Sequence, residues 1–115
     1  MSGIYPIVGV KFHPPARAIL AVLPVGTELE LIPEPDNPYD ENAIMIWING
    51  KEIPEHCRAE LEFLAAGYGF HASEIIPNYW HLGYIPRALA AQMQPFTMCK
   101  GKFQVGAEGA SKVEI

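Results

Sequence analysis

Residues 26–48, GTELELIPEPDNPYDENAIMIWI, carry the strongest secondary-structure pattern in the chain. Polar and apolar residues alternate with a period of two over residues 27–31, which predicts a β-strand with one buried face. Residues 34–42 combine two prolines with Asp and Asn. These residue types restrict φ or hydrogen-bond to nearby backbone, so they predict an ordered loop. A second strand is predicted over residues 43–48, and the stretch is therefore expected to form two strands joined by a rigid loop.

The segments on either side of this stretch predict further short elements. Residues 7–12 are rich in β-branched and aromatic side chains and predict a strand that ends at the prolines after His13. Residues 16–23 are apolar and fit either a strand or a helical turn, because periodicity does not separate the two. Asn49-Gly50 is typical of a tight hairpin turn and predicts a return strand over residues 51–53.

Two helices are predicted in the second half of the chain. The first begins at Pro54-Glu55, since proline is tolerated in the first turn and an acidic residue is favourable near the N-terminal dipole. It ends at Gly67. The second begins at Pro86 and ends at Pro95. The residues predicted to share a face are Cys57, Leu61, Leu64 and Ala65 in the first helix, and Leu89 and Met93 in the second.

Strands are also predicted over residues 79–85, 98–105 and 112–115. The chain has no internal repeat and no linker, and 115 residues correspond to one domain. About six short strands with two helices predict a mainly β fold, either a small β-barrel or a strongly curved sheet plugged by helices. A single domain over residues 1–115 is expected.

The net charge of −5 is unevenly distributed. Ten acidic and two basic residues lie between Glu28 and Glu62, whereas three acidic and six basic residues make up the charges elsewhere. An acidic chain does not favour non-specific nucleic-acid binding. The basic remainder leaves room for a local binding site.

The sequence contains no motif that is typical of an enzyme. No GxSxG, P-loop, HExxH or Cys-His zinc spacing occurs, so no catalytic residue, metal or cofactor is predicted. Residues 36–42 carry several side-chain oxygens but lack the calcium-loop spacing, and an Asx-turn loop explains them at least as well. Cys57 and Cys99 fit no CxxC pattern and are expected to be buried thiols in a reducing compartment. Without a long apolar segment, a soluble cytoplasmic protein is expected.

Aromatic side chains are concentrated at predicted strand ends and in loops, where rings can be exposed and nucleobases can stack on them. Such rings also commonly cap a core, and the residue types alone leave both interpretations open. Lys11 and Arg87 could reach phosphates from the same regions. The rings concerned are Phe12, His13, Tyr39, Tyr79, Trp80 and Tyr84.

Four segments occur in an order that resembles the HIRAN domain family: VGVKF at 8–12, GTELEL at 26–31, EPDNPYDENAI at 34–44 and LGYIPRALA at 82–90. The resemblance covers nearly the whole chain apart from residues 50–81, an insert with one predicted helix. It implies an OB-like β-barrel. HIRAN domains occur fused to SWI/SNF-type helicases, where they capture the free 3′-hydroxyl end of single-stranded DNA at stalled forks, and as stand-alone bacterial or phage proteins. The length of this chain suggests the stand-alone type.

The resemblance also implies roles for individual residues. Phe12 and Tyr39 match rings that stack on the terminal bases, and Asp40 matches the acid that accepts a hydrogen bond from the 3′-hydroxyl. Lys11 and Arg87 match phosphate contacts. Tyr84 matches a polar ring near the terminal nucleotide, and Asn37 would contact the sugar or shape the loop. His13 completes the candidate binding residues as one of the rings at strand ends and in loops.

The sequence departs from the family pattern at two of these positions and in the insert. Phe12 stands where a tyrosine is expected, and Lys11 replaces an arginine with its bidentate geometry. The insert carries an acidic helix that could dock a protein partner, although its rings could equally pack in the core. The alternative function is therefore a protein-interaction adaptor without DNA binding. The rings concerned are Tyr68, Phe70, Tyr79 and Trp80.

Overall fold

The computed structural model describes residues 3–115. Over this range six antiparallel strands form one curled half-barrel sheet, accompanied by four short α-helices. The strands are β1 (Ile4–Pro6), β2 (Glu28–Pro33), β3 (Ile44–Asn49), β4 (Tyr79–Tyr84), β5 (Cys99–Val105) and β6 (Ser111–Glu114). The helices are α1 (Ala16–Val22), α2 (Arg58–Ala66), α3 (Ala72–Ile75) and α4 (Arg87–Gln92).

The N-terminal segment connects the two edges of the sheet. The strand order is β1-β6-β5-β2-β3-β4, so β1 and β4 are the edge strands. Val8, two residues after β1, pairs with Tyr84 of β4 through two backbone hydrogen bonds of 2.9 Å. Residue 83 approaches this segment so closely that a Cβ there would overlap the Val8 carbonyl oxygen, and glycine is required. The mainly β, OB-like expectation is consistent with this curled sheet.

The alternating pattern of residues 27–31 is confirmed by the burial of β2. Leu29 and Leu31 are fully buried, whereas Glu28 and Glu30 lie on the outer face. Glu30 pairs across the ladder with Lys100, and the Glu28 carboxylate lies 3.2 Å from the Lys100 ammonium group. Each buried leucine contributes roughly 1.5–3 kcal/mol, so the buried face holds this strand against the core.

Residues 16–23, for which the sequence allowed a strand or a helix, form α1. The helix is apolar around most of its circumference, and Ala16, Ile19 and Leu20 are among its buried residues. It packs between α2 and β4. A helix enclosed on several sides carries no amphipathic signal, which explains why the pattern alone was ambiguous.

Two predicted strands are absent from the described residues. Residues 7–12 are not a strand, because Gly9 takes a left-handed φ of 75° and Val10–Phe12 then forms a 3₁₀ turn. The hairpin at Asn49-Gly50 and its return strand are also wrong. The Asn49 side chain instead accepts a hydrogen bond from the Lys51 N–H and begins a second 3₁₀ turn. The antiparallel partner of β3 on this side is β4.

The two predicted helices are present, together with one that the sequence did not indicate. A 3₁₀ turn at Glu55–Cys57 leads into α2, and α4 follows Pro86. The unpredicted α3 begins where the Ala72 N–H donates to the carboxylate of Glu62 on α2. This contact joins residues ten positions apart, so no local pattern announces it.

Cys57 is buried and Cys99 is half-buried, and both are free thiols. Burial raises the pKa of the Cys99 thiol. Among the helices of residues 3–115, none has the length and apolar character that crossing a membrane requires.

Candidate nucleic-acid interface

The loop of residues 34–42 is held by its own side chains. The Asn37 Oδ1 accepts hydrogen bonds from the backbone N–H groups of Tyr39 (2.9 Å) and Asp40 (3.0 Å). Its Nδ2 donates to the Glu34 Oε1 at 2.6 Å. Both ends of the Asn37 amide group are therefore engaged in shaping the loop, which is one of the two roles predicted for this residue.

Glu34 joins this loop to β4. The Tyr84 hydroxyl donates to the same Glu34 Oε1 that Asn37 contacts, at 2.9 Å. Burial, followed by the hydrogen bond to Glu34, raises the pKa of Tyr84 to about 12. Tyr84 is therefore a hydrogen-bond donor at neutral pH, and the loop and β4 are linked through one carboxylate.

The loop presents Tyr39 outward and keeps Asp40 inward. The Tyr39 residue is 84% exposed, whereas the Asp40 side chain is only 16% exposed. Asp40 Oδ1 accepts a hydrogen bond from the Asn42 N–H at 2.9 Å. The other oxygen, Oδ2, lies 3.9 Å from the Nε of Arg87. That separation is too long for a hydrogen bond, so Oδ2 retains acceptor capacity.

These residues line an open groove of about 480 Å³ between the loop, the Val8 segment and the beginning of α4. The Arg87 side chain is 77% exposed and supplies the cationic end of the groove. Five of the predicted binding residues line the groove, namely Asn37, Tyr39, Asp40, Tyr84 and Arg87.

Lys11, Phe12 and His13 lie beside the groove rather than in its lining. Phe12 is 72% exposed, and the Lys11 ammonium group is 5.1 Å from the centre of its ring. The Phe12 and Tyr84 rings both come within 4.0 Å of the position that a Cβ of residue 9 would occupy. The 3₁₀ turn that replaced the predicted strand thus places Phe12 next to the groove.

A cluster of rings that adjoins the groove at Tyr84 was not predicted. His81 stacks on Trp47 with 4.9 Å between ring centres and an interplanar angle of 8°. The His13 ring is 4.0 Å from His81, and Tyr84 meets His81 edge-on at 4.8 Å. His81 Nε2 also donates to the Gly83 carbonyl oxygen at 3.0 Å, since a carbonyl only accepts.

A β-bulge brings this cluster together. His81 pairs with Trp47, and Tyr84 pairs with Met45. The partner residues are two positions apart on β3, whereas His81 and Tyr84 are three apart on β4. Opposite faces would be expected for that spacing in a regular strand. The extra residue puts both rings on the outer face, a common role of bulges near functional sites.

Burial determines the charge of the two histidines. It lowers the pKa of His13 and, together with the neighbouring His13, lowers the pKa of His81 to about 4. Glu34 opposes both changes without reversing them. Both rings are therefore neutral at neutral pH, and His13 provides a flat ring rather than a cation.

Eight of the ten acidic residues between Glu28 and Glu62 do not line the groove. Glu28 and Glu30 lie on the outer face of β2 near Lys100, and Glu62 is engaged with α3. The hydrogen bonds from Ala72 and His71 lower the pKa of Glu62. The acids that line the groove are Glu34 and Asp40. Among residues 3–115, no three His, Cys, Asp or Glu side chains lie close enough together to hold a metal ion.

The class of protein is therefore a small β half-barrel module whose open groove is lined by aromatic rings, two carboxylates and a cation. A family model described as HIRAN domain matches residues 2–112, and the chain belongs to the HIRAN family. This is a family of DNA-binding domains rather than a catalytic one. Comparison with curated proteins and with solved structures gave no match.

Proposed function

We propose that this protein binds single-stranded DNA at a free 3′-hydroxyl end, without catalysing a reaction. The observation that carries the proposal is the contrast between Tyr39 and Asp40. An exposed ring that a base can stack on adjoins a largely enclosed carboxylate with acceptor capacity. A terminal hydroxyl can donate to a carboxylate, whereas a terminal phosphate would be repelled by it.

Other residues in and beside the groove fit the same ligand. Phe12 offers a second exposed ring beside Tyr84, and stacking contributes about 1–3 kcal/mol per base regardless of sequence. Arg87 and Lys11 are exposed cations for backbone phosphates. Because Glu34 and the overall charge of −5 disfavour a long polyanion, affinity is expected to be local and to depend on a strand end.

The test compares labelled single strands by fluorescence anisotropy. Strands with a free 3′-hydroxyl should bind more tightly than otherwise identical strands with a 3′-phosphate. Asp40→Asn should reduce this preference, because the amide keeps an acceptor for Asn42 but removes the charge that repels phosphate. Equal binding of the two ends by the unmodified protein would contradict end capture.

Tyr39→Ala is expected to weaken binding roughly 5- to 150-fold, which corresponds to one stacked base. Tyr79→Ala is the matched control, because Tyr79 is also an exposed tyrosine but lies at the opposite end of β4. An unchanged affinity in Tyr39→Ala would refute the stacking role. Circular dichroism of both variants checks that the fold is retained.

The second candidate function is a protein-interaction adaptor that uses the insert. Phe63 on α2 is an exposed large apolar residue that was not among the predicted docking residues. Of the four predicted rings, Phe70 and Trp80 pack edge-on with 5.7 Å between ring centres, and the Trp80 indole N–H donates to the Ile75 carbonyl oxygen. Tyr68 and Tyr79 stay exposed. Absence of strand binding even at low salt would favour the adaptor.

A further inference from the structure

A second concave site lies next to the groove and shares none of its lining residues. It is a cup of about 300 Å³ formed by the Val10–Phe12 turn, the first turn of α1 and the segment that follows α2. Its polar lining comes from Lys11, His13, Arg17 and Tyr68. Neither Arg17 nor Tyr68 belongs to the segments on which the family resemblance rests.

The cup is cationic. Lys11 and Arg17 both line it, both are exposed, and no acidic residue contributes to the lining. Within residues 3–115, no carboxylate oxygen lies within 4.0 Å of either cationic group. Two cations in one cup without an acidic neighbour favour an anionic ligand.

The cup also carries rings that a base can use. Tyr68 is 45% exposed, and its backbone N–H donates to the Ala65 carbonyl oxygen in the turn that ends α2. His13 lines the cup and lies 5.9 Å from Tyr84, measured between ring centres. Since Tyr84 lines the groove, the His13 and Tyr84 rings form a continuous path from the groove to the cup.

We propose that this cup binds the nucleotide that precedes those held in the groove, with its phosphate at Lys11 and Arg17 and its base against Tyr68. The ligand class is the phosphodiester backbone of single-stranded DNA. The inference rests on the proposed function, and it assigns to the insert a direct role in holding the strand. The binding site then extends beyond the strand end.

The test measures affinity against strand length. An oligothymidylate of two nucleotides fills only the groove, whereas one of six also reaches the cup. Arg17→Ala and Tyr68→Ala should each weaken binding of the longer strand roughly fivefold or more and leave the shorter strand unchanged. Arg17→Ala should also reduce the salt dependence of the longer strand by about 0.7 in the slope of log K against log salt, the value for one phosphate on a single strand.

Arg58→Ala is the matched control, because Arg58 is an exposed base on α2 outside the cup. Tyr68→Phe keeps the ring and should retain the affinity that Tyr68→Ala loses. Equal losses of affinity for the short and the long strand, or no loss of affinity for the long strand, would contradict binding at the cup. If end capture is wrong but the cup binds the strand, the result is different. Tyr39→Ala and a 3′-phosphate would then leave affinity unchanged, whereas Arg17→Ala would still weaken binding of the longer strand only.

Discussion

Glu34→Ala removes the carboxylate that joins the loop of residues 34–42 to β4. The Glu34 Oε1 accepts from the Asn37 amide at 2.6 Å and from the Tyr84 hydroxyl at 2.9 Å. Asn37 in turn holds the backbone N–H groups of Tyr39 and Asp40. Loss of Glu34 should therefore loosen the two residues on which the proposed DNA contact depends.

The size of the effect follows from these two bonds. Hydrogen bonds to a charged group contribute about 1.5–3 kcal/mol each when buried. Glu34 is half-buried, so solvent screening reduces the pair to about 2–3 kcal/mol in the free energy of unfolding. Tyr84→Phe removes only one of the two bonds and should cost about 1 kcal/mol.

Urea denaturation followed by tryptophan fluorescence measures both variants and their combination. The double variant should be more stable than additivity predicts, with a coupling free energy on the order of 1 kcal/mol, because Tyr84→Phe has no bond left to lose once Glu34 is absent. Glu41→Ala is the matched control, an exposed acid in the same loop that should change stability by less than about 0.5 kcal/mol. An additive cycle, or equal effects of Glu34→Ala and Glu41→Ala, would refute the reasoning.

Two further predictions concern the stability of the sheet. Gly83→Ala should destabilise the protein by about 2 kcal/mol or more in urea denaturation, because the added Cβ would overlap the Val8 carbonyl oxygen and break the pairing of Val8 with Tyr84. Gly67→Ala is the control and should be nearly neutral, because its Cβ would lie 3.4 Å from the nearest atom. Equal destabilisation by the two substitutions would contradict the close approach of residue 83 to Val8. Since burial lowers the pKa of His81 from 6.5 to about 4, the unfolded chain takes up a proton first, and the stability present above pH 6.5 should decline as the pH falls to about 4. The full pKa change corresponds to at most about 3 kcal/mol in the free energy of unfolding, and solvent screening of this half-buried ring leaves on the order of 1 kcal/mol. The His81→Gln variant should lose correspondingly less stability over the same pH range. An identical loss of stability in the variant and the unmodified protein would exclude His81 as the cause.

Features that depend on neighbouring residues could be predicted from the sequence. The alternation in residues 27–31 predicted β2 with Leu29 and Leu31 inward, and the structure buries both. The prolines and Asn37 predicted an ordered loop, which the bonds of Asn37 provide. The motif order also indicated the HIRAN family, which the family model confirms. Such features are readable because φ restriction and strand periodicity act within a few residues.

Features that depend on contacts between distant residues could not be predicted from the sequence. Asn49-Gly50 suits a hairpin locally, yet the Gly50 N–H donates to the Asn78 carbonyl oxygen, and a Cβ on Gly50 would overlap the Ile75 carbonyl oxygen. The bulge in β4 likewise turns His81 toward Trp47, and the chain after α2 brings Tyr68 to the same cup as Arg17. These contacts join segments many residues apart, and their packing free energy overrides local preference. Periodic sequence patterns do not depend on such contacts, so the cup and the ring cluster could be identified only from the tertiary structure.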